Sequence, residues 1–585
     1  MKKGVAVRYK GILISAGVVV LSLGIWSFSD DLFQISKNLE VFASLYKEVN
    51  INYVDDINSA KFLKTGADAM LEGLDPYTEF VPESEIEDYK LHYVSTQYGG
   101  IGASVFARDN KVFVSTVFEG FPAQKADVRP GDQVLKINDI ALDGKNSEQV
   151  SQLLKGSKGA GVKLLLKRDG DIKPVEKNLI RDEIKQPNVS YYGMVAGNMG
   201  YIKLDRFLEN SAQEVTDALI ALKKNNPNGM ILDLRSNGGG ILQEAVKIVN
   251  LFVQKDVEIV AQKGKVKEKN FTYKTMATPL AADMPLVVLV NSRSASASEI
   301  VAGSLQDLDR AIIIGQRSYG KGLVQQTFPL PYNSLVKITI AKYYVPSGRC
   351  IQEIDYTHRK EDGTVVKVAD SLMHEFKTKN GRSVYDGSGI YPDIFIKRDL
   401  FANITQTLIT RFFIFDYATR YRLSHPKIAE AKDFVLTDAE YNDFVKYLAN
   451  KNYTYNTTSE RVLAALKTES TKEKQFDQIQ TEYDALKNKM TANKKNDLQL
   501  HKEEIKQALE SEIVGRYYFD KGRYEAYFKY DKELSQAIKT MQDKNQLAAI
   551  LKGEGAYKVI GKPVLAAMND KKDDAGKDKA GKDDQ

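Results

Sequence analysis

The sequence predicts a multidomain protein of mixed α/β and α+β class. Strand and helix patterns alternate between residues 195 and 350, which is typical of a parallel α/β core. Short β-rich runs separated by turns fill residues 95–185, and apolar residues recur at helical spacing in residues 32–90 and 400–568. We therefore expect an α/β core with a small β domain before it and helical regions at both ends. The length of 585 residues is consistent with two to four domains.

Residues 1–31 have the pattern of a membrane anchor or a signal peptide. An uncharged run over residues 11–28 follows four basic residues and precedes Asp30 and Asp31. The run is long enough to cross a bilayer, and its basic flank should stay in the cytoplasm. We expect an inner-membrane anchor, with the rest of the chain facing the periplasm of a bacterial envelope. A cleaved signal peptide is the alternative interpretation.

Two small regions precede the α/β core. The first, residues 32–94, is predicted to be helical, with its second helix ended by Asp75-Pro76. The second, residues 95–185, has β-rich runs at 112–114, 134–137 and 162–166, and one helical stretch from Glu148 to Leu154. It should fold as a β domain with a helix.

The α/β core is expected between residues 186 and 400. Its predicted strands are Met230 to Leu234, Leu286 to Val290 and Ala311 to Ile314, and its predicted helices are Ile241 to Phe252 and Ala297 to Leu308. In such sheets, functional sites gather where the strands end. The unusual turns of this sequence follow these strands.

Residues 401–568 are polar and helical. A coiled-coil-like stripe of apolar residues comprises Phe476, Ile479, Tyr483, Leu486 and Met490. We favour packing of these helices within their own domain, while docking of an adaptor protein or homo-oligomer formation stays open. Residues 569–585 are rich in Lys, Asp and Gly, which is typical of a disordered tail.

Composition excludes several classes of function. The net charge of +6 gives no reason to expect nucleic-acid binding. Cys350 is the single cysteine, so an internal disulfide or a thiolate metal site cannot form. None of the five histidines lies in the alternating strand–helix stretch of residues 195–350, which excludes a Ser-His-Asp triad or a His-rich metal site built within that stretch. We predict no metal and no cofactor.

A lysine can replace histidine as a base when burial disfavours its ammonium form. Lys321 follows an apolar strand and stands between Gly320 and Gly322, which allow close approach of its backbone. Nucleophile candidates are Ser294, Ser296 and Ser298, in a turn before a helix whose N–H groups can stabilise an oxyanion. Residue types alone do not choose among the three, since serine is also a common helix cap.

The glycines Gly238, Gly239 and Gly240 end the neighbouring strand, and their backbone can turn an N–H group towards a substrate carbonyl. A tight structural turn is the alternative. Asp233 and Arg235, just before them, are interpreted as a structural strand-end pair.

A nucleotide-binding loop is a weaker interpretation. Residues 315–322 nearly match the pattern G-x-x-x-x-G-K-[ST], but Gly322 stands where a Mg²⁺-binding hydroxyl is required. The acidic strand ending in Asp233 also precedes the loop, the reverse of the usual order.

The chain resembles the carboxy-terminal processing peptidases, also called tail-specific proteases, over residues 40–395. The resemblance rests on Leu74-Asp-Pro-Tyr-Thr78, Tyr98-Gly-Gly-Ile-Gly-Ala103, Gly120-Phe-Pro-Ala123, Val128-Arg-Pro-Gly-Asp132, Leu232-Asp-Leu-Arg-Ser-Asn-Gly-Gly-Gly240, Ser294-Ala-Ser-Ala-Ser-Glu-Ile300, Tyr319-Gly-Lys-Gly322, Gln325, Tyr343-Tyr-Val-Pro-Ser-Gly-Arg349 and Gly389-Ile-Tyr-Pro-Asp393.

The resemblance implies a crotonase/ClpP-like core and a Ser-Lys dyad. Family spacing puts the nucleophile 25 residues before the lysine, which selects Ser296. Gln325, read as one helical turn beyond Lys321, matches the residue that orients it. The oxyanion donors would be the N–H of Ala297 and that of Gly238 or Gly239; the resemblance does not say which.

The resemblance also identifies residues 95–185 as a PDZ domain. Gly100, Ile101, Gly102 and Ala103 would form the loop that captures a substrate's C-terminal carboxylate, with Ile101 beside the last apolar side chain. The implied function is an endopeptidase that cleaves exposed apolar C-terminal tails of envelope proteins. A PDZ scaffold with an inactive protease core is the alternative, although such a scaffold would not need Ser296 and Lys321.

Overall fold

The computed structural model describes residues 32–95, 97–494 and 496–562. The helices are α1 (32–52), α2 (Ser59–Glu72), α3 (Ile86–Tyr93), α4 (Pro122–Lys125), α5 (Ser147–Leu154), α6 (Ser211–Lys223), α7 (Leu242–Asn250), α8 (Ala297–Asp307), α9 (Asn403–Thr410), α10 (Phe413–Ser424), α11 (Asp438–Leu448), α12 (Thr458–Lys472), α13 (Phe476–Lys494), α14 (Asp497–Leu500), α15 (Lys502–Tyr527), α16 (Lys532–Gln542) and α17 (Lys544–Lys552). The strands are β1 (Glu79–Val81), β2 (Gln97–Gly100), β3 (Ala103–Arg108), β4 (Lys111–Val117), β5 (Gln133–Ile137), β6 (Ile140–Ala141), β7 (Gly161–Lys167), β8 (Val175–Ile180), β9 (Asp182–Lys185), β10 (Val189–Val195), β11 (Met199–Leu204), β12 (Gly229–Asp233), β13 (Glu258–Lys263), β14 (Phe271–Lys274), β15 (Leu286–Val290), β16 (Ile312–Gly315), β17 (Leu323–Leu330), β18 (Ser334–Tyr344), β19 (Ile354–Arg359), β20 (Val365–Lys367), β21 (Glu375–Lys377), β22 (Ser383–Tyr385) and β23 (Ile394–Phe395).

The described chain divides into two units, and the smaller one comprises residues 32–83 and 327–338. Its helix α2 begins at the cap Asn58, whose side chain accepts from Lys61 N, and ends at Gly73, before Asp75-Pro76 as predicted. Strand β1, which the sequence did not predict, pairs antiparallel with residues 335–337 of β18.

The larger unit begins with α3, and the small β domain follows it. Strands β3-β4-β5-β7-β8 form an antiparallel sheet in that order, and β2 pairs with β9. The apolar residues that alternate along β4, β5 and β7 form its core together with Val150 of α5. Strand β3 is at one edge of the sheet, and α5 lies beside it. The predicted β domain with one main helix is confirmed.

The α/β core is built on a second sheet, in the order β10-β11-β12-β15-β16-β23. All pairs from β11 to β23 are parallel, and β10 is antiparallel to β11. Every residue of β12, β15 and β16 is buried because both faces of the sheet are covered. One face packs on α6, α7 and α8, and the other packs on α16 and α17. The predicted fold class is confirmed.

The C-terminal helices divide between two roles. Helices α9, α10, α11, α14 and α15 share a core of their own, whereas α16 and α17 cover the sheet of the α/β core. The predicted apolar stripe lies on α13, which pairs with α12; its Tyr483 is buried and its Leu486 is exposed. Tyr483 of the stripe therefore packs within its own domain, in line with the favoured interpretation, whereas Leu486 does not.

The expected membrane segment, residues 11–28, and the expected disordered tail, residues 569–585, lie outside the described residues. Within the part of the chain that is described, no helix combines the length and the apolar character needed to span a bilayer.

Candidate active site

Three turns meet where the parallel strands β12, β15 and β16 end. The turn after β12 carries Gly238 and Gly239, the turn after β15 carries Ser296, and the turn after β16 carries Lys321. Ala295 N donates to Asn237 O at 3.0 Å, and Tyr319 N donates to Ser294 O at 3.0 Å. The structure thus brings the turns that carry the predicted nucleophile, base and oxyanion donors together at the carboxyl edge of the sheet, where such folds place their sites.

The three candidate serines differ in how their hydroxyl groups are used. Ser294 Oγ donates to Leu234 O and Ser298 Oγ donates to Asn237 O, each at 2.8 Å, and both side chains are fully buried. Ser296 is half-buried, and among the described residues its hydroxyl makes no such bond to a main-chain carbonyl. Ser294 and Ser298 therefore hold the turn, which leaves Ser296 as the available hydroxyl.

Ser296 has a strained backbone at the start of α8. Its φ of 55° and ψ of −115° lie outside the regions that a residue with a Cβ normally adopts. The hydroxyl of Tyr343 donates to Ser296 O at 3.2 Å, and Ser296 N donates to Glu299 Oε2 at 2.8 Å. These contacts hold the serine in a conformation that the chain alone would not favour.

The hydrogen bonds of the glycine turn distinguish Gly238 from Gly239 as the candidate oxyanion donor. Gly239 N donates to Asn237 Oδ1 at 2.9 Å, so its N–H is already used. A Cβ added to Gly239 would lie 2.8 Å from Ser296 Cβ and 2.9 Å from Ala297 N, which shows how closely this glycine approaches the serine. Within the described residues, neither Gly238 N nor Ala297 N donates to a protein group. These two N–H groups are the ones available to a substrate oxygen.

Lys321 lies in the turn between β16 and β17 and is half-buried. Its main-chain N donates to Glu299 Oε2 at 2.9 Å, the same oxygen that accepts from Ser296 N. The flanking glycines allow close packing as predicted, since a Cβ on Gly322 would lie 2.8 Å from Gln352 N. One carboxylate oxygen thus joins the turn of the candidate nucleophile to the turn of the candidate base.

Glu299 is a residue at this site that the sequence interpretation missed. Its carboxylate is completely buried and accepts four hydrogen bonds, from Ser296 N, Ser318 Oγ, Gly320 N and Lys321 N. Burial raises its pKa to about 7, against the opposing effect of these hydrogen bonds. The signal in the sequence was a glutamate three residues after a serine helix cap, the capping-box spacing.

Gln325 does not lie one helical turn beyond Lys321, because the segment is strand β17 and not a helix. Val324 and Thr327 are β-branched, a residue type that strands favour. The side-chain amide of Gln325 donates to Thr339 Oγ1 on β18 at 3.1 Å. Its assigned role in orienting the lysine stays a prediction.

The nucleotide-binding interpretation of residues 315–322 is wrong. A phosphate-binding loop joins a strand to a helix whose N-terminus faces the phosphates. Here the loop joins β16 to β17, so no helix follows it. Among the described residues, no group of three or more His, Cys, Asp and Glu side chains is arranged to hold a metal ion.

Asp233 and Arg235 form the structural pair that the sequence suggested. Arg235 Nη2 lies 2.5 Å from Asp233 Oδ2, and Tyr201 donates to the same oxygen at 2.6 Å. Burial alone would raise the pKa of Asp233, but the charges of Arg235 and Lys203 hold it well below its usual range. Arg235 also pairs with Asp531 at 2.6 Å, before α16 of the C-terminal helices.

The predicted carboxylate loop of the β domain joins β2 to β3. Ile101 is only 3% exposed and belongs to the domain core, so its side chain does not line a substrate pocket. Among the described residues, the N–H groups of Ile101 and Gly102 donate to no protein group. The backbone of the loop, with Gly100 ending β2 and Ala103 beginning β3, is therefore what this site presents to a ligand.

Sequence profiles of known families match three parts of the chain. Peptidase family S41 matches residues 198–360, the PDZ domain matches residues 99–179, and "Probable PDZ-protease, C-terminal helical domain" matches residues 404–541.

Curated relatives cover more than half of the chain. The carboxy-terminal-processing protease of Bartonella bacilliformis is 33% identical over 351 residues, which are 59% of this chain and 80% of the relative. The carboxy-terminal processing protease CtpA of Bacillus subtilis is 31% identical over 367 residues, 58% of this chain and 77% of the relative. Among solved structures, the photosystem II D1 C-terminal processing protease is 25% identical, with a TM-score of 0.33, and the match covers 61% of this chain and 92% of that one.

The fold, the turns at the sheet edge and these matches define a serine peptidase that carries a PDZ domain. The chain belongs to the carboxy-terminal-processing protease family, within peptidase family S41, and it is a serine-type endopeptidase.

Proposed function

We propose that the protein cleaves exposed apolar C-terminal tails of envelope proteins, with Ser296 as nucleophile and Lys321 as general base. The observation that carries this proposal is the shared oxygen of Glu299. It accepts from the main-chain N of both residues, at 2.8 and 2.9 Å, and so ties the two turns to each other.

The reaction begins when the neutral amine of Lys321 takes the proton from Ser296 Oγ. The oxygen attacks the carbonyl carbon of the scissile peptide and forms a tetrahedral oxyanion. Lys321, now an ammonium, gives the proton to the leaving amine as the C–N bond breaks. Lys321 then takes a proton from water, which attacks the acyl-enzyme and releases the carboxylic acid, and Ser296 recovers its proton.

The N–H groups of Gly238 and Ala297 stabilise the oxyanion in this proposal. Gly239 is the weaker candidate because its N–H already donates to Asn237. The start of α8 adds the favourable end of the helix dipole beside Ser296. Two preorganised donors of this kind are typical of enzymes that transfer acyl groups.

Substrate choice belongs to the PDZ domain. The free N–H groups of Ile101 and Gly102 bind the terminal carboxylate, and the tail adds as a strand to the edge of β3, beside α5. Since the side chain of Ile101 is in the domain core, the pocket for the last side chain lies elsewhere along this groove. The anchor proposed for residues 11–28 would keep the enzyme on the periplasmic side of the inner membrane.

The test uses the full chain and a peptide with an apolar C-terminus, with cleavage followed by mass spectrometry. We expect cleavage by the wild type and its loss in Ser296→Ala and in Lys321→Ala. Ser292→Ala and Lys255→Ala are matched controls, because both side chains are exposed and neither belongs to the site. Tight binding without cleavage by the wild type would support the scaffold function, and full activity of either dyad variant would refute the mechanism.

A further inference from the structure

The carboxylate of Glu299 accepts more hydrogen bonds than the capping of a helix requires. Its Oε1 accepts from Ser318 Oγ at 2.5 Å and from Gly320 N at 2.7 Å. Its Oε2 accepts from Ser296 N at 2.8 Å and from Lys321 N at 2.9 Å. Both oxygens are therefore each bonded to two donors, and three of the four donors are main-chain N–H groups.

Only one of these bonds belongs to the helix on which Glu299 lies. The bond from Ser296 N has the N-cap to N3 spacing of a capping box and so lies within the first turn of α8. The other three come from residues 318–321, the turn that carries the candidate base. Capping α8 therefore does not account for a buried carboxylate that reaches a second turn.

Burying this carboxylate is costly, and the surrounding structure offsets the cost. No lysine or arginine side chain forms an ion pair with Glu299 among the described residues, and its hydrogen bonds stand in for water. Ser318, which donates to Glu299, also accepts from Ile390 N at 2.7 Å. A third segment is thus linked to the same group, so the turn of Lys321 has little freedom to move away from Ser296.

We propose that Glu299 is a positioning residue for proteolysis: its carboxylate holds the turn of Lys321 against the turn of Ser296, so that base and nucleophile keep a reactive separation. This role rests on the proposed Ser296–Lys321 chemistry. Glu299 itself touches neither the substrate nor the reacting atoms. Because misplacement of reacting groups by about 1 Å can cost about 100-fold in rate, the loss of this link should act on kcat.

The variant Glu299→Gln tests the proposal, because its NH₂ group replaces an acceptor with a donor that faces N–H groups. We expect kcat for peptide cleavage to fall by about 100-fold. Phosphonylation of the active serine by a fluorophosphonate should fall in parallel. KM and the affinity of the PDZ domain for a peptide C-terminus should not change, since neither depends on the separation of the two turns.

Glu244→Gln is the matched control. Glu244 is also a buried helix glutamate, and it accepts from Ala212 N at 2.8 Å and Ser211 Oγ at 3.3 Å, away from the candidate site. The proposal is overturned if Glu299→Gln lowers kcat no more than Glu244→Gln does, or only in proportion to its unfolded fraction.

Ser318→Ala serves if Glu299→Gln does not fold, because it removes one donor and leaves the carboxylate in place. A folded Ser318→Ala enzyme with reduced kcat and unchanged KM supports the proposal, and wild-type kcat overturns it. The variants Ser296→Ala and Lys321→Ala distinguish failure of the proposed function from failure of the positioning role. Wild-type activity of Ser296→Ala or Lys321→Ala would remove the proposed function itself, whereas inactive dyad variants beside an active Glu299→Gln would remove only the positioning role.

Discussion

The link between Arg235 and Asp531 allows a quantitative test of how the C-terminal helices stabilise the catalytic core. Asp531 is 2% exposed, and its carboxylate accepts from Arg235 Nη1 at 2.9 Å and Nη2 at 2.6 Å. Its Oδ1 also accepts from Leu534 N at 2.9 Å and caps α16. One side chain therefore has two separable roles.

Two substitutions separate these roles. Asp531→Asn keeps an acceptor for Leu534 N but turns an NH₂ group towards Arg235 Nη2. Removing one partner of a buried ion pair costs about 3 to 5 kcal/mol, and the low end applies here because Arg235 keeps Asp233. We expect a loss of about 3 kcal/mol for the Asn variant. Asp531→Ala also loses the cap, worth about 1 kcal/mol, for a total of about 4 kcal/mol.

Urea unfolding followed by far-ultraviolet circular dichroism measures both losses. The matched control is Asp543→Ala, because Asp543 caps α17 through Asn545 N and Gln546 N but is exposed and has no buried cation beside it. It should cost about 1 kcal/mol. If Asp531→Asn destabilises the protein no more than Asp543→Ala, the buried ion pair contributes nothing and the reasoning is refuted.

Three further predictions concern the site and the PDZ domain. Burial raises the pKa of Glu299 from 4.5 to about 7, so the folded protein binds this proton more tightly than the unfolded chain does. The free energy of unfolding of the wild type, measured relative to that of Glu299→Gln, should therefore fall by about 3 kcal/mol as pH rises from about 4.5 to about 7. Gly239→Ala should lower kcat by about 100-fold, since its Cβ would lie 2.8 Å from Ser296 Cβ. Phe106→Ala should increase hydrogen exchange at the start of α10, because it removes a ring stacked 4.3 Å from Phe412.

Each of these predictions has a control and a contradicting result. For Glu299, Tyr343 is a neighbouring titratable group that stays neutral in this range because burial raises its pKa well above 10, and a flat stability difference across the range contradicts the account. Gly144→Ala has the same kind of positive φ with nothing within 4 Å, so it separates strain from collision, and equal kcat losses would count against the collision. Phe271→Ala removes an exposed aromatic residue, and an equal change in exchange at α10 would rule out a specific effect.

The core sheet could be predicted because its strands are continuous apolar runs. Leu286 to Val290 is uninterrupted, and β15 has these bounds, since helices cover both faces of the sheet. The strand that contains Gln325 could not be assigned in the same way. Counting four residues from Lys321 assumed a helix, whereas pairing of β17 with β18 decides the conformation and depends on residues farther along the chain.

The sequence predicted where the site lies, but not the hydrogen bonds and ion pairs that its residues make. Ser294, Ser296 and Ser298 are chemically equal in sequence, and only contacts with Leu234 and Asn237, about 60 positions earlier, distinguish them. Glu299 has a local capping role that can be read from spacing, but its three bonds to residues 318–321 are tertiary. The ion pair of Arg235 with Asp531 also joins distant parts of the chain, so local patterns carry no sign of it.

The central claim is that Ser296 is activated by Lys321, and site-mapped labelling tests it most directly. The full chain is treated with a fluorophosphonate, digested and analysed by mass spectrometry, alongside a folded Lys321→Met variant. We predict a single phosphonylated serine, Ser296, whose labelling disappears in Lys321→Met. Labelling of Ser294 or Ser298 in its place, or undiminished labelling and proteolysis in Lys321→Met, would contradict the account.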